Sequence, residues 1–349
     1  EVTISGDGRF VGGLSTTPEG TAGDTPRLFG FLIDEELMQV SDRLRFREFR
    51  PGGFLFHYGD HSNHLPRVSR WAGNQWVVVG DDRVYWQSPS DSTLVREAPL
   101  GQGMTTTLAA NADGLVVVGR AHAMEHQAGS FHNVLLLQPD AAEPLLWSRP
   151  VSRDVDTSPE PDKGVYGPPV PPYDDTKVHA PLAVAVDTSG NRIAVADYEG
   201  WQRVFRPRDG SADRPLGTRF TPSRPTIHVY DAQGNTIQRV GPDIFSETLC
   251  CNLTFSVDGS RLLIWPHNWT SRGLGGQPFL PANKDARTLY VLDIRTGDIQ
   301  ALRFPDAYTT DDKCILNKTI VGCWNHCVYE LDQAFQPITT LPQGLGVGA

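Results

Sequence analysis

Apolar and polar positions along the chain repeat one phrase. It reads SGDGRFVGGLS at 5–15, NADGLVVVGRA at 111–121, DTSGNRIAVADYEG at 187–200 and SVDGSRLLIWPHNW at 256–269. Each copy holds a small polar residue, an Asp-Gly or Ser-Gly step, and an apolar run of strand length. A glycine that accepts positive φ between two such runs predicts a tight antiparallel turn. A second phrase follows: NVLLLQPDAAEPLLWSRP at 133–150, TIHVYDAQGNTIQRVG at 226–241, TLYVLDIRTGDIQALRF at 288–304 and CVYELDQAFQPITTLP at 327–342. A looser copy, RVYWQSPSDSTLVREAP, lies at 83–99. It too is strand, polar turn, strand. Together the phrases predict a four-stranded antiparallel unit, its strands labelled a to d.

Units fall at 1–43, 66–100, 104–150, 179–241, 249–304 and 308–341, a spacing of roughly 40 to 50 residues that marks a repeat architecture. Residues 44–65 hold two further strand-like runs. With them as a reduced blade the count is seven, at about 50 residues each; with them as an extension of a neighbour it is six. Seven is the expectation, with EVTIS or LGVGA lending a strand to the other terminus's blade so that no sheet edge stays open. The repeat, with TLYVLDIRTGDI at 288–299 as its most typical passage, resembles the WD40-like and YVTN-type β-propellers across nearly the whole chain. The resemblance implies one all-β propeller domain over 1–349 and assigns no activity, because unrelated functions share that architecture.

Composition agrees. Gly 34 and Pro 27 give the punctuation of many short strands. Hydrophobic residues at 39% supply a core. The net charge of −10 argues against a nucleic-acid phosphate backbone as partner. No apolar run approaches the roughly 18 residues that span a bilayer, and the chain reads as soluble. It starts at Glu1 without an initiator Met, consistent with a removed signal peptide or a late start.

The a–b turns are short, whereas long connections at 15–27, 120–132, 150–178, 197–225 and 266–287 belong to the opposite face. Loops of that length in a compact domain are commonly functional. The unusual residues gather there. Tyr198, Trp201, Trp265, His267, Trp269, Trp324 and His326 are the candidate binding face, as an aromatic floor or as packing between blades. Asp197 suits a structural tie between blades.

His122-Ala-Met-Glu125-His126 spells the H-x-x-E-H order of inverted zinc peptidases, with His132 beyond it. That motif needs a helix to set both histidines on one side. Here it follows VVVG and precedes a Gly-Ser turn, so a peptidase is disfavoured. A looser metal site from His57, Asp60, His61, His64, His122, Glu125 and His126 stands beside the plainer reading of solvated loop groups. A divalent metal (Ca, Zn or Cu) is the only cofactor such a cluster suggests. Cys323 and Cys327 flank a turn and suit a disulfide, which would place the chain in a periplasmic or extracellular compartment. Cys250 and Cys251 suit either a vicinal disulfide or two buried thiols; Cys314 is left over.

Three functions compete. The first is a non-catalytic scaffold that docks a protein partner or another subunit on the elaborated face. The second is a metal-assisted hydrolase or lyase acting on a sugar or lactone at the channel mouth. The third, suggested by Cys250-Cys251 and the tryptophans alone, is a quinone-cofactor dehydrogenase. The first is favoured, since no nucleophile elbow, phosphate loop or haem motif appears.

Overall fold

The computed structural model describes residues 2–17, 27–34, 39–40, 44–45, 56–57, 63–64, 69–80, 83–89, 95–101, 103–121, 130–138, 144–152, 173–205, 217–222, 225–245, 250–267, 288–303, 313–316, 319–324, 327–331 and 337–341. Every predicted unit is a sheet. The first runs β1 (Val2–Ile4), β2 (Phe10–Thr17), β3 (Arg27–Asp34), β4 (Gln39–Val40), with β5 (Leu44–Arg45) also against β3. The second holds β8 (Ser69–Ala72), β9 (Gln75–Val79), β10 (Arg83–Gln87) and β11 (Val95–Pro99). The third holds β12 (Met104–Ala110), β13 (Val116–Ala121), β14 (Ser130–Leu137) and β15 (Leu145–Ser152).

The fourth is built from β16 (Tyr173–Val186), β17 (Arg192–Phe205), β19 (Thr226–Asp231) and β20 (Thr236–Val240), with β18 (Gly217–Pro222) on β17. In the fifth, β21 (Cys250–Phe255), β22 (Arg261–His267), β23 (Thr288–Asp293) and β24 (Ile299–Arg303) follow in order. The sixth is β25 (Lys313–Leu316), β26 (Thr319–Trp324), β27 (Cys327–Leu331) and β28 (Pro337–Leu341). Each is an up-and-down antiparallel meander. The chain is all-β.

Of residues 44–65, expected as a reduced blade or an extension of a neighbour, β5 joins the first sheet, and β6 (Phe56–His57) pairs with β7 (Asn63–His64) as a two-stranded ribbon. The described sheets exchange no strand between termini. Val2–Ile4 pairs with β2 of its own sheet, and β28 with β27. LGVGA lies outside the described residues.

The chain divides into two compact units, one of Glu1–Leu182 with Tyr198–Ser223, the other of Ala183–Asp197 with Arg224–Ala349. In the first, Val77, Val79, Val84 and Trp86 of the second sheet pack with Leu108, Val116, Val118, Leu135 and Leu137 of the third. All six residues of β13 are buried, so both of its faces are covered. That is why it reads as a continuous apolar run rather than an alternation. Outer strands face water: Arg96 and Glu97 in β11, and Leu145 and Leu146 in β15, are exposed.

The first sheet docks on the second through two tryptophans. The Trp71 indole N–H donates to the Thr3 carbonyl at 3.2 Å, and the Trp76 N–H to the Thr3 hydroxyl at 3.2 Å. Gly12 makes room for this, because a Cβ there would stand 2.5 Å from the Trp76 indole nitrogen. Further ties cross from sheet to sheet. The Thr105 hydroxyl donates to the Gly80 carbonyl at 2.7 Å, and the Thr106 hydroxyl to the Pro181 carbonyl. In the second unit, the Arg192 guanidinium donates to the Gly259 carbonyl and the Gln238 amide to the Ile294 carbonyl at 3.1 Å. There Phe245 meets Tyr290 edge-on at 5.5 Å.

The repeated phrase closes the same turn each time. The backbone N–H groups of Gly8, Gly114, Gly190 and Gly259 donate to the carbonyls of Ser5, Asn111, Asp187 and Ser256, with φ of 78°, 90°, 71° and 68°. The leading side chain then accepts the N–H that returns to strand b. Ser5 Oγ accepts from Phe10 at 2.9 Å, Asn111 Oδ1 from Leu115 at 2.9 Å, Asp187 Oδ1 from Arg192 at 3.1 Å and Ser256 Oγ from Arg261 at 3.0 Å. The c–d turns repeat the device with Asp231, which accepts from Gln233 and Asn235, and Asp293, which accepts from Arg295 and Thr296.

These turns hold carboxylates in their charged form. Donation by the Ser256 hydroxyl, then by the Ser260 N–H and hydroxyl, lowers Asp258 to about 2. Asp7 is lowered mainly by the Ser5 hydroxyl, Asp231 by the Asn235 side-chain amide, and Asp293 by the Thr296 N–H.

Two predictions follow from this packing and these charges. Gly12→Ala forces a methyl into the Trp76 ring and should destabilise by about 2–3 kcal/mol, the range of an overpacked core. Gly8→Ala, where a Cβ meets nothing within 4 Å, should lose only about 1–2 kcal/mol for its left-handed φ. Thermal melts of both variants check the order; equal losses would contradict it. A carboxyl depressed on folding adds stability above its unfolded value and loses it as pH falls through its folded value. The melting temperature should therefore drop between about pH 4 and the pH of about 2 at which Asp258 titrates. Ser256→Ala should shift Asp258 back up, seen by carboxyl NMR titration; an unmoved Asp258 would contradict the assigned cause.

Candidate functional site

The first, third, fourth and fifth sheets each have a plain end and an end with longer connections. The plain end carries the a–b turns 5–9, 111–115, 187–191 and 256–260, and the c–d turns. At the other end the strands part across 18–26, 122–129, 153–172, 206–216 and 268–287. Strands take up more of these connections than the sequence suggests: β2 reaches Thr17, β16 begins at Tyr173, and β17 runs to Phe205.

The largest change concerns 197–225. β17 pairs with β19 from Arg192↔Asp231 to Asp197↔Thr226, then continues and pairs with β18 from Gly200↔Pro222 to Phe205↔Gly217. The expected loop is a two-stranded antiparallel arm. Trp201 lies in it, opposite Thr221. Tyr198, expected on the binding face, is fully buried at the base of the arm. Its ring belongs to the core, because the strand is still covered there. Asp197 is buried at the last β19 pair, in keeping with a structural position.

The backbone of β18 lies alongside β6, which carries His57. In that ribbon His57 faces Asn63 and His64 faces Phe56 in register. Asp60, His61, His122, Glu125, His126, Trp269 and His326 lie outside the described residues. His132, expected in a loop, stands exposed in strand β14 opposite Pro150. The H-x-x-E-H stretch thus sits between two paired strands, β13 and β14. Among the described residues no group of three or more His, Cys, Asp or Glu is gathered as metal ligands.

Trp265 faces Asn252 in register, and His267 faces Cys250 while Pro266 faces Cys251. Cys250 and Cys251 begin β21 as consecutive strand residues. Cys323 stands opposite Val328, and Trp324 opposite Cys327, so the two cysteines are not a directly opposed pair.

Sequence reasoning passed over Arg120, the last but one residue of β13. It is buried at 1% exposure, and its guanidinium donates to the Leu100 carbonyl at 2.6 Å and the Gly101 carbonyl at 2.9 Å. The arginine therefore clamps the connection between the second and third sheets, immediately before His122. Charge-assisted bonds of this kind are among the stronger ones available to a fold. An arginine continuing the apolar run VVVG was the signal for it.

No protein-family model matches the chain, and no curated protein matches it. Solved structures similar to it include the Myceliophteria thermophila Cps50 (Swd1) β-propeller domain, at 12% identity and TM-score 0.45, over 99% of this chain and 85% of that one. The Neurospora crassa Pan2 WD40 domain is similar at 10% identity and TM-score 0.47, over 98% of this chain and 79% of that one. Chaetomium thermophilum Sqt1, bound to the N-terminus of the ribosomal protein L10, is similar at 11% identity and TM-score 0.29, over 94% and 93%. On its own sheet topology the chain is all-β, a succession of antiparallel sheets.

Proposed function

We propose that this protein is a non-catalytic scaffold that docks a protein partner, with the β17–β18 arm as its principal docking element. The observation that carries the reading is the overrun of β17. A connection needs only a few residues to join β17 to β19, and every additional ordered residue costs conformational entropy, about 1–2 kcal/mol of backbone order. This chain instead spends two paired strands there, Gly200–Phe205 against Gly217–Pro222. A hydrogen-bonded ribbon is preorganised, which lowers the entropy lost when a partner binds. The plain end makes no such investment: its turns are closed by their own side chains. The remaining elaborated connections of the first unit, 18–26, 122–129 and 153–172, are assigned to the same docking role.

The test is site-specific photo-crosslinking in the host cell. A benzophenone amino acid replaces Phe220 in the arm or Leu115 beside a plain turn. The reading predicts one protein crosslinked from the arm and not from the plain end. That protein, once identified, should co-elute with the purified chain and cease to do so when the arm is replaced by a short Gly-Ser turn. Equal yields from both ends, or unchanged co-elution without the arm, would overturn it.

A further inference from the structure

Three of the chain's four Asp-Gly steps fall in the a–b turns: Asp7-Gly8, Asp113-Gly114 and Asp258-Gly259. The fourth, Asp209-Gly210, lies outside the described residues. The remaining turn of this form carries Ser189-Gly190 instead. Glycine serves these turns through its left-handed φ, but it has no side chain to shield its nitrogen from the carboxyl before it.

All three aspartates are exposed, yet their carboxylates are held differently. Asp7 accepts from the Ser5 hydroxyl at 2.5 Å and from the Arg9 N–H at 3.1 Å. Asp258 accepts from the Ser256 hydroxyl at 2.7 Å, the Ser260 N–H at 3.0 Å and the Ser260 hydroxyl at 2.9 Å. In the third sheet the leading residue is Asn111, whose Oδ1 is itself the acceptor of the Asp113 and Leu115 N–H groups, at 3.1 and 2.9 Å. Among the described residues, nothing donates to the Asp113 carboxylate. The glycines differ in the same sense. Gly259 is buried, its N–H lies 2.9 Å from the Ser256 carbonyl, and a Cβ there would meet Arg192 and Asp187 at 2.8 Å. The Gly8 N–H lies 3.0 Å from the Ser5 carbonyl. Gly114 has the longest bond of the three, 3.3 Å to the Asn111 carbonyl, and a Cβ there would meet nothing within 4 Å.

We propose that Asp113-Gly114 is a modification site, where aspartate converts to isoaspartate through a cyclic imide, ahead of the Asp7 and Asp258 turns. The Gly114 nitrogen bonds to Cγ of Asp113 in its acid form. The Cγ–OH bond breaks, and the hydroxyl leaves as water with the amide proton. Water then adds to either carbonyl of the imide. Opening at the Cγ–N bond restores aspartate. Opening at the former peptide bond routes the main chain through Cβ and Cγ and frees the α-carboxylate. Nothing is oxidised or reduced, and solvent takes up and returns the water. Hydrogen bonds to a carboxylate oppose this reaction, because they favour its charged form and fix its oxygens. The product adds a main-chain atom inside the turn. Asn111 then cannot hold the Asp113 and Leu115 N–H groups together, and its carbonyl, which also accepts the Gly73 N–H at 3.0 Å, loses its place between the second and third sheets.

The experiment ages the full chain in mildly acidic buffer and reads isoaspartate peptide by peptide. The readouts are mass spectrometry with electron-transfer fragmentation and enzymatic carboxyl methylation of isoaspartyl groups. The Asp113 peptide should gain isoaspartate roughly three- to tenfold faster than the Asp7 and Asp258 peptides, the worth of the bonds to charge that it lacks. Asn111→Ser, which copies the leading serine of the other two turns, should slow Asp113 to their rate. Ser5→Ala should raise the Asp7 rate toward that of Asp113. In both variants the Asp258 rate should stay unchanged, whereas a loosened fold would speed all three peptides together.

Equal rates in the three turns, or an Asp113 peptide that gains no isoaspartate, overturns the proposal. So does an Asp113 rate unmoved by Asn111→Ser together with an Asp7 rate unmoved by Ser5→Ala.

Discussion

The structure depends on one turn, made repeatedly. A glycine in the left-handed region lets its N–H reach the carbonyl three residues back, and the leading Ser, Asn or Asp accepts the N–H that starts strand b. With both groups satisfied, strand a hands over to strand b in a fixed register. Everything central to a blade follows from that register. It decides which residues of β13 and β17 lie between sheets, and a slip by one position would reverse every side chain. The same turns also join neighbours: the Gly73 N–H donates to the Asn111 carbonyl at 3.0 Å, and the Ile294 N–H to the Ser260 carbonyl at 2.9 Å.

The division of labour between the two ends of each sheet is a consequence. Where turns are closed by their own side chains, the chain has little freedom to vary. At the opposite end, additions such as the β17–β18 arm can accumulate without disturbing the core. Arg120 marks the border between these regimes. It extends a fully buried strand to its last residues and fixes the connector at Leu100 and Gly101. Beyond it the chain enters the stretch that spells H-x-x-E-H, which lies outside the described residues.

The blades were legible because their signals are local. Asp-Gly or Ser-Gly before an apolar run names both the turn and the strand it feeds, and all of the parsed units appear as sheets. The arm was not legible, because Gly200, Pro207, Gly210 and Pro215 punctuate 197–225 like a loop. Its pairing depends on two segments finding each other across that punctuation, which periodicity within either segment does not reveal. Tyr198 was misplaced for a related reason: the expected end of strand b fell before it, whereas the strand stays buried through it. Strand exchange between the termini was inferred from a general need to protect edges; Val2–Ile4 pairs within its own sheet, and the LGVGA alternative lies outside the described residues. Of the candidate residues, Trp201 is placed by the arm and His57 by the ribbon beside it.

The most direct test of this account is amide hydrogen exchange on the full chain, resolved to peptides that cover the turns 111–115, 187–191 and 256–260. If these turns fix the strand register and tie the sheets together, their amides exchange as slowly as those of the strands they join. Turns that exchange at the rate of open loops, while the strands on either side stay protected, would contradict it.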